Sequence, residues 1–192
     1  VLYNYESPFV AILGGSKVSD KIGVLNHLMD RVDTFIIGGA MAYTFLAAQK
    51  NTIGKSLVEK DKIKFAKEFL EKVDARDKKV LLPVDHLVVN DMETGRPEIV
   101  GAVDIPDGKI ALDIGEKTCR LFAAEIAKAK TVFWNGPMGM FEKTSFERGT
   151  FAIAKAVAEC QGFTIVGGGD SVAALNSSGF ADKVGHISTG GG

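Results

Sequence analysis

Apolar residues along this chain fall into short unbroken runs that end in glycine, and each run is followed by apolar positions at helical spacing. The first run, Phe9 to Leu13 with Pro8 leading in, enters Gly14-Gly15 and predicts a strand over 8–14. Ile22, Leu25, Leu28, Met29 and Val32 then predict a helix over 19–32. TFIIGG predicts a second strand over 34–39, with a helix over 40–50 behind it. Ser56-x-x-Glu59 has the form of a capping box and predicts a third helix reaching Val73. KVLLPVDHLVV predicts a third strand in which Pro83 marks a bulge or an edge position. The polar, turn-rich residues 90–108 predict a small hairpin or excursion, after which KIALDIG returns to a short strand. A helix over 118–129, a fourth strand over 131–136, a helix capped by Thr144-x-x-Glu147 and reaching Glu159, and a fifth strand over 163–170 follow. SVAALNSSG predicts the next helix, and HISTGGG a sixth strand from 186. Unbroken apolar runs suit strands buried on both faces. Alternation of such strands with helices predicts one α/β domain over 1–192, with 1–7 as a tail or linker. Its expected form is a doubly wound, Rossmann-like six-stranded parallel sheet with helices on both faces.

The glycines sharpen this picture. LGG, IGG, WNGPMG, VGGG and STGGG lie at the predicted carboxyl ends of strands and together hold twelve glycines. Each glycine in regular structure costs about 0.5–1 kcal/mol relative to alanine. One such pair is explained by a tight turn; five along one edge favour a phosphate-binding rim, because ligands of open α/β sheets bind there. Helix N-terminal amides, unpartnered and electropositive, supply the physical basis. Lys17 and Lys21, four apart, share one face of the predicted helix and either converge on that rim or are simply solvated. Asp170, after Gly168-Gly169, either holds Mg²⁺ through hard carboxylate oxygens or caps its helix. Glu142 either accepts from ribose hydroxyls or is a solvated loop acid. His27 reads as surface, His86 as possible lining of the cleft and His186 as remote from the rim, so no chemistry is assigned to them. Trp134 and Phe141 read as core or cleft wall.

Composition narrows the class. A net charge of −1 gives no footprint for nucleic acid or a membrane surface. The arginines (Arg31, Arg76, Arg96, Arg120 and Arg148) are scattered, so no cluster for clamping a phosphorylated acid is visible. Cys119 and Cys160 form no paired motif, which with the absence of a signal-peptide pattern predicts a reduced, cytoplasmic setting. A start at Val1 and an end at Gly192 predict a piece of something longer. Three standard templates are missing: GxxxxGK[ST], GxGxxG after the first strand, and G-x-S-x-G. Gly38-Gly39 stands where a dinucleotide site would carry an acid, which counts against a NAD-dependent oxidoreductase.

VAILGGSKVSDKI, IIGGAMAYTF, LLPVDHLV, LDIG, TVFWNGPMGMFE, TIVGGGDSVAAL and HISTGGG occur together, in this order. In order and spacing they resemble the C-terminal, nucleotide-binding domain of phosphoglycerate kinase over residues 8–192. The resemblance implies reversible phosphoryl transfer between 1,3-bisphosphoglycerate and ADP, giving 3-phosphoglycerate and ATP, in glycolysis. Carried over by position, it implies that Lys17 stabilises the transferring phosphoryl and Gly190, Gly191 and Gly192 offer it amides. Lys21 would hold the nucleotide phosphates beside Asn135, Gly168, Gly169 and Ser171, and Asp170 would bind Mg²⁺. Glu142 would take the ribose. Gly14, Gly15, Gly39, Leu57, Leu112, Pro137 and Met140 would surround the nucleotide, most of them at the adenine. The family's N-terminal, phosphoglycerate-binding domain has no counterpart in these residues. The resemblance therefore implies a monomer that binds MgADP or MgATP with little or no turnover; a stand-alone nucleotide-binding module is the alternative. Ala40 and Ala111 stand where other members can carry glycine.

Overall fold

The computed structural model describes residues 5–188. Two sheets form. The larger contains β1 (Phe9–Leu13), β2 (Thr34–Ile37), β3 (Lys79–Leu81), β7 (Thr131–Asn135), β8 (Phe163–Gly167) and β9 (His186–Ser188), in the order β3-β2-β1-β7-β8-β9. Every neighbouring pair in it is parallel. The smaller is antiparallel, in the order β5-β4-β6, from β4 (His86–Val89), β5 (Glu98–Val100) and β6 (Ile110–Ile114).

Strand pleating divides the apolar runs between two cores. Phe9, Ala11 and Leu13 of β1 face one layer, with Phe35, Ile37 and Phe133. Leu25 and Leu28 of α1 (Ile22–Leu28), Phe45 of α2 (Met41–Ala48) and Phe69 and Val73 of α3 (Ile63–Ala75) cover that layer. Val10 and Ile12 face the other layer with Val132, Trp134 and Val166. There Phe122 and Ile126 of α4 (Glu116–Ala127), Ile153 and Val157 of α5 (Arg148–Glu159) and Leu175 of α6 (Gly169–Ser178) close over them. Burial on both faces explains why the strands read as continuous rather than alternating apolar runs. The chain winds one way from β1 and the other way from β7, so the switch point lies between these two strands, where ligands of such sheets bind.

Several expected boundaries move, each for a local reason. The first helix is shorter than 19–32. Val18 is fully buried, and the Ser19 amide donates to Glu59 Oε1 at 3.1 Å, so 14–21 is a loop and α1 begins only at Ile22. Ser56-x-x-Glu59 is not a capping box: Ser56 Oγ accepts from the Ala111 amide at 3.0 Å, and α3 starts at Ile63. Thr144-x-x-Glu147 does not cap α5 either; Thr144–Phe146 form a 3-10 turn. Pro83 splits the predicted third strand in two. Its first half is the edge strand β3, and its second half turns away to become the centre of the small sheet. The excursion at 90–108 contributes β5, so it is part of a second sheet rather than an isolated hairpin.

Candidate functional site

Loops at the carboxyl ends of β1, β2 and β7 meet and are stitched by main-chain bonds. The Gly14 amide donates to Asn135 O at 3.0 Å, Gly15 to Pro137 O at 3.0 Å, and Gly39 to Met138 O at 3.1 Å. Glycine is required where these backbones touch. A Cβ on Gly14 would lie 2.1 Å from Pro137 O, and one on Gly39, whose φ is +69°, 2.6 Å from the Gly15 nitrogen. Gly169 differs, since a Cβ there would meet nothing within 4 Å. Tight packing thus accounts for Gly14 and Gly39, while Gly169 borders open space at the start of α6.

Two cavities share this rim. One, of about 310 Å³, is a slot between the glycine loops and the small sheet. Gly39, Leu57, Leu112, Pro137, Met140 and Glu142, which the resemblance groups around a nucleotide, are among its walls. Tyr43, Lys55, Met92, Ile110, Ala111 and Gly139 also line it and were not expected, apart from the family-variable position at Ala111. The second cavity, of about 260 Å³, lies over β1, β7 and β8 and mixes polar and apolar lining. It is bordered by Lys17, Asp20, Lys21, Asn135, Gly168, Gly169 and Asp170. Gly15, Ser16, Pro137 and Asp170 border both, so the two form one cleft with an apolar end and a charged end that holds both lysines.

Lys17 and Lys21 converge on the charged end, but not along a helix face. Lys17 sits in the 14–21 loop and Lys21 is the residue that caps α1. Lys21 Nζ donates to Asn135 Oδ1, whose amide group in turn donates to Gly167 O at 3.2 Å. Burial pulls the Lys21 ammonium below its ordinary range, while Asp20 and Asp170 oppose that shift. Glu59 steadies the loop from outside. Partial burial pushes its carboxyl up, but the bond from Ser19 and the charge of Lys17 outweigh this and hold it below its usual value.

Asp170 is exposed in the first turn of α6 and does not cap it; the capping position belongs to Gly168, with φ +90°. Ser171 does not open into the cleft. Its side chain is buried, and Oγ accepts from the Gly136 amide at 2.6 Å. Trp134 Nε1 donates to Gly136 O at 2.7 Å, so the same residue is held at both its polar groups. Gly14 likewise packs under the loops rather than lining either cavity. His86 is fully buried in β4 rather than in the cleft: Nε2 meets Val103 O at 2.9 Å, Nδ1 has no partner among the described residues, and burial lowers its pKa. Gly190, Gly191 and Gly192 lie outside the described residues.

Among the described residues no three His, Cys, Asp or Glu side chains gather where they could hold a metal ion. A site built wholly from protein ligands is therefore missing there. Two exposed carboxylates, Asp20 and Asp170, beside two lysines fit the other style of magnesium binding, in which the ligand's phosphates and water supply the remaining oxygens.

A family model described as phosphoglycerate kinase matches residues 1–192. The chain is 58% identical over 186 residues to the phosphoglycerate kinase of Clostridium novyi, which covers 96% of this chain and 47% of that protein. It is 52% identical to that of Bdellovibrio bacteriovorus, over 100% of this chain and 48% of the relative. The solved structure of phosphoglycerate kinase from Coxiella burnetii superposes with a TM-score of 0.95 at 40% identity, over 99% of this chain and 50% of that one. The chain spans about half the length of the relatives it matches. No helix among the described residues is long and apolar enough to cross a membrane. On the match of sequence and fold together, the chain belongs to the phosphoglycerate kinase family.

Proposed function

We propose that this chain is the C-terminal, nucleotide-binding half of a phosphoglycerate kinase, and that its cleft takes MgADP or MgATP. One observation carries the reading: an apolar slot shares a wall with a glycine-lined end that holds two lysines, at the sheet's switch point. An adenine suits the slot between Leu57, Leu112 and Met140, with Glu142 at hand for ribose hydroxyls. The phosphates suit the far end, where Lys17, Lys21 and the opening of α6 supply positive charge.

In the full reaction a phosphoryl group passes between 1,3-bisphosphoglycerate and ADP. Such a transfer relies on positioning and on cancelling charge over the equatorial oxygens, without a covalent enzyme intermediate. Lys17 would neutralise the moving group, and Lys21, oriented by Asn135, would hold the nucleotide's phosphates. Magnesium, held by Asp170, would neutralise charge between adjacent phosphates. The acceptor would be bound by a second domain, as the half-length match to the relatives supports. Without that domain water is not excluded and donor and acceptor are not brought together, so the chain alone turns over little if at all. A cytoplasmic monomer in glycolysis completes the proposal.

Calorimetric titration with MgADP tests this directly. Binding is expected, and no heat at any attainable concentration would refute the reading. Asp170→Ala should weaken MgADP binding far more than binding of ADP in chelator. Equal losses would remove the metal role from Asp170.

A further inference from the structure

Beneath the slot lies a carboxylate that the proposed chemistry does not use. Asp113, in β6, is 1% exposed. Its Oδ1 accepts from the Ile114 amide at 2.9 Å and its Oδ2 from the Gly149 amide at 2.9 Å, in the first turn of α5. Two glycines make room for it: a Cβ on Gly149 would stand 2.3 Å from Oδ1, and one on Gly139 would stand 2.5 Å from the same atom. Gly139 lines the slot, as do Ile110, Ala111 and Leu112 on the strand that carries Asp113. Met140, also in the slot, donates its amide to Leu112 O at 2.9 Å.

We infer that Asp113 is a positioning residue for the nucleoside slot: by tying β6 to the start of α5 and abutting Gly139, it sets the gap between the two walls that grip the base. This rests on the nucleotide reading above. Asp113 touches no ligand itself. Its influence passes through Leu112 on one side and Gly139 on the other.

The electrostatics give this role a signature. Burial pushes the Asp113 carboxyl up to about 7, against the bonds from Gly149 and Ile114 and the charge of Arg148, which favour ionisation. Tyr43 from α2 and Cys119 from α4 also feel its charge, and Asp85 and Glu116 add further negative charge around Cys119. Both carboxylate oxygens are acceptors for backbone N–H groups, so protonation turns one of them into a hydroxyl and loosens a tie. The slot is therefore best set when Asp113 is ionised. Stability runs the other way. A carboxyl raised in the folded state contributes stability that is present below the ordinary carboxylate range and lost as pH rises through about 7. A residue that merely held the fold together would move stability and slot affinity in the same direction; Asp113 should move them oppositely.

Adenosine and magnesium pyrophosphate separate the two ends of the cleft, and adenosine has no group that titrates near neutrality. In the unmodified chain, adenosine should bind about tenfold more weakly at about pH 6 than at about pH 8, while resistance to denaturant falls over the same rise in pH. Asp113→Asn should bind adenosine weakly and without pH dependence, yet keep its affinity for magnesium pyrophosphate. A flat adenosine profile in the unmodified chain overturns the assignment, and so do equal losses for both probes in the variant. Should the variant fail to fold, the profile of the unmodified chain decides alone. If the unmodified chain binds neither probe at any pH, the nucleotide reading itself fails and takes this one with it.

Discussion

The two walls of the cleft are made by different means. The glycine-loop wall is backbone against backbone: turns leaving β1, β2 and β7 donate amides into one another, and only a few side chains carry charge. The facing wall is side chain and small sheet, fastened to the main body by buried aspartates that reach across the chain. Asp113 ties β6 to α5. Asp85 does the same for α4, accepting from the Lys117 and Thr118 amides at 2.9 Å each and from Thr118 Oγ1 at 2.5 Å. A helix start capped from more than thirty residues away leaves no trace in its own sequence, because the capping residue belongs to another element.

The largest effect is expected on the backbone-built wall. Gly14→Ala would drive a Cβ into Pro137 O and Gly136 O, neither of which can rotate away. It should cost at least the roughly 1–3 kcal/mol typical of overpacking, read as a lowered denaturant midpoint. An unchanged midpoint would mean that the two loops yield independently, and the contrast between the walls would weaken. Next comes the side-chain-built wall. Asp85→Ala strands the buried Thr118 amide and frees that of Lys117, and should cost about 1–3 kcal/mol, with hydrogen exchange quickening first at Lys117 and Thr118. Exchange that quickened uniformly would instead make the small sheet inseparable from the main body. The smallest effect belongs to Leu57, which lines the slot while 64% exposed. Leu57→Ala should leave stability within about 0.5 kcal/mol and weaken adenosine binding only a few-fold; a large loss of stability would show that this edge of the slot is part of the core.

The same contrast explains what could be read without coordinates. Each strand entering the glycine loops was legible, because burial on both faces imposes an unbroken apolar run and the turn imposes glycine. Lys17, Lys21 and Asp170 are candidates for the rim for that reason, with a solvated pair and a helix cap as the alternatives. Their detailed setting was not legible. Spacing of four suggested one helix face, but Val18 is pulled into the core and Glu59 claims the Ser19 amide, so the lysines meet across a loop. The two S/T-x-x-E motifs failed alike: Ser56 is spent on the Ala111 amide and Thr144 sits in a 3-10 turn. Tyr43, Lys55 and Met92 reach the slot from α2, from the segment before α3 and from the turn after β4. No local pattern marks such residues, since their meeting depends on how the second sheet docks. Pro83 predicts a bulge or an edge position within one strand, whereas it marks the point where the chain leaves one sheet for another.

Gly136 deserves a last consequence. With its N–H claimed by Ser171 and its C=O by Trp134, it borders the end that holds the lysines and directly precedes Pro137, which lines both ends. The junction between the two ends is thereby set by the fold before anything enters. An occupant is measured against it instead of moulding it.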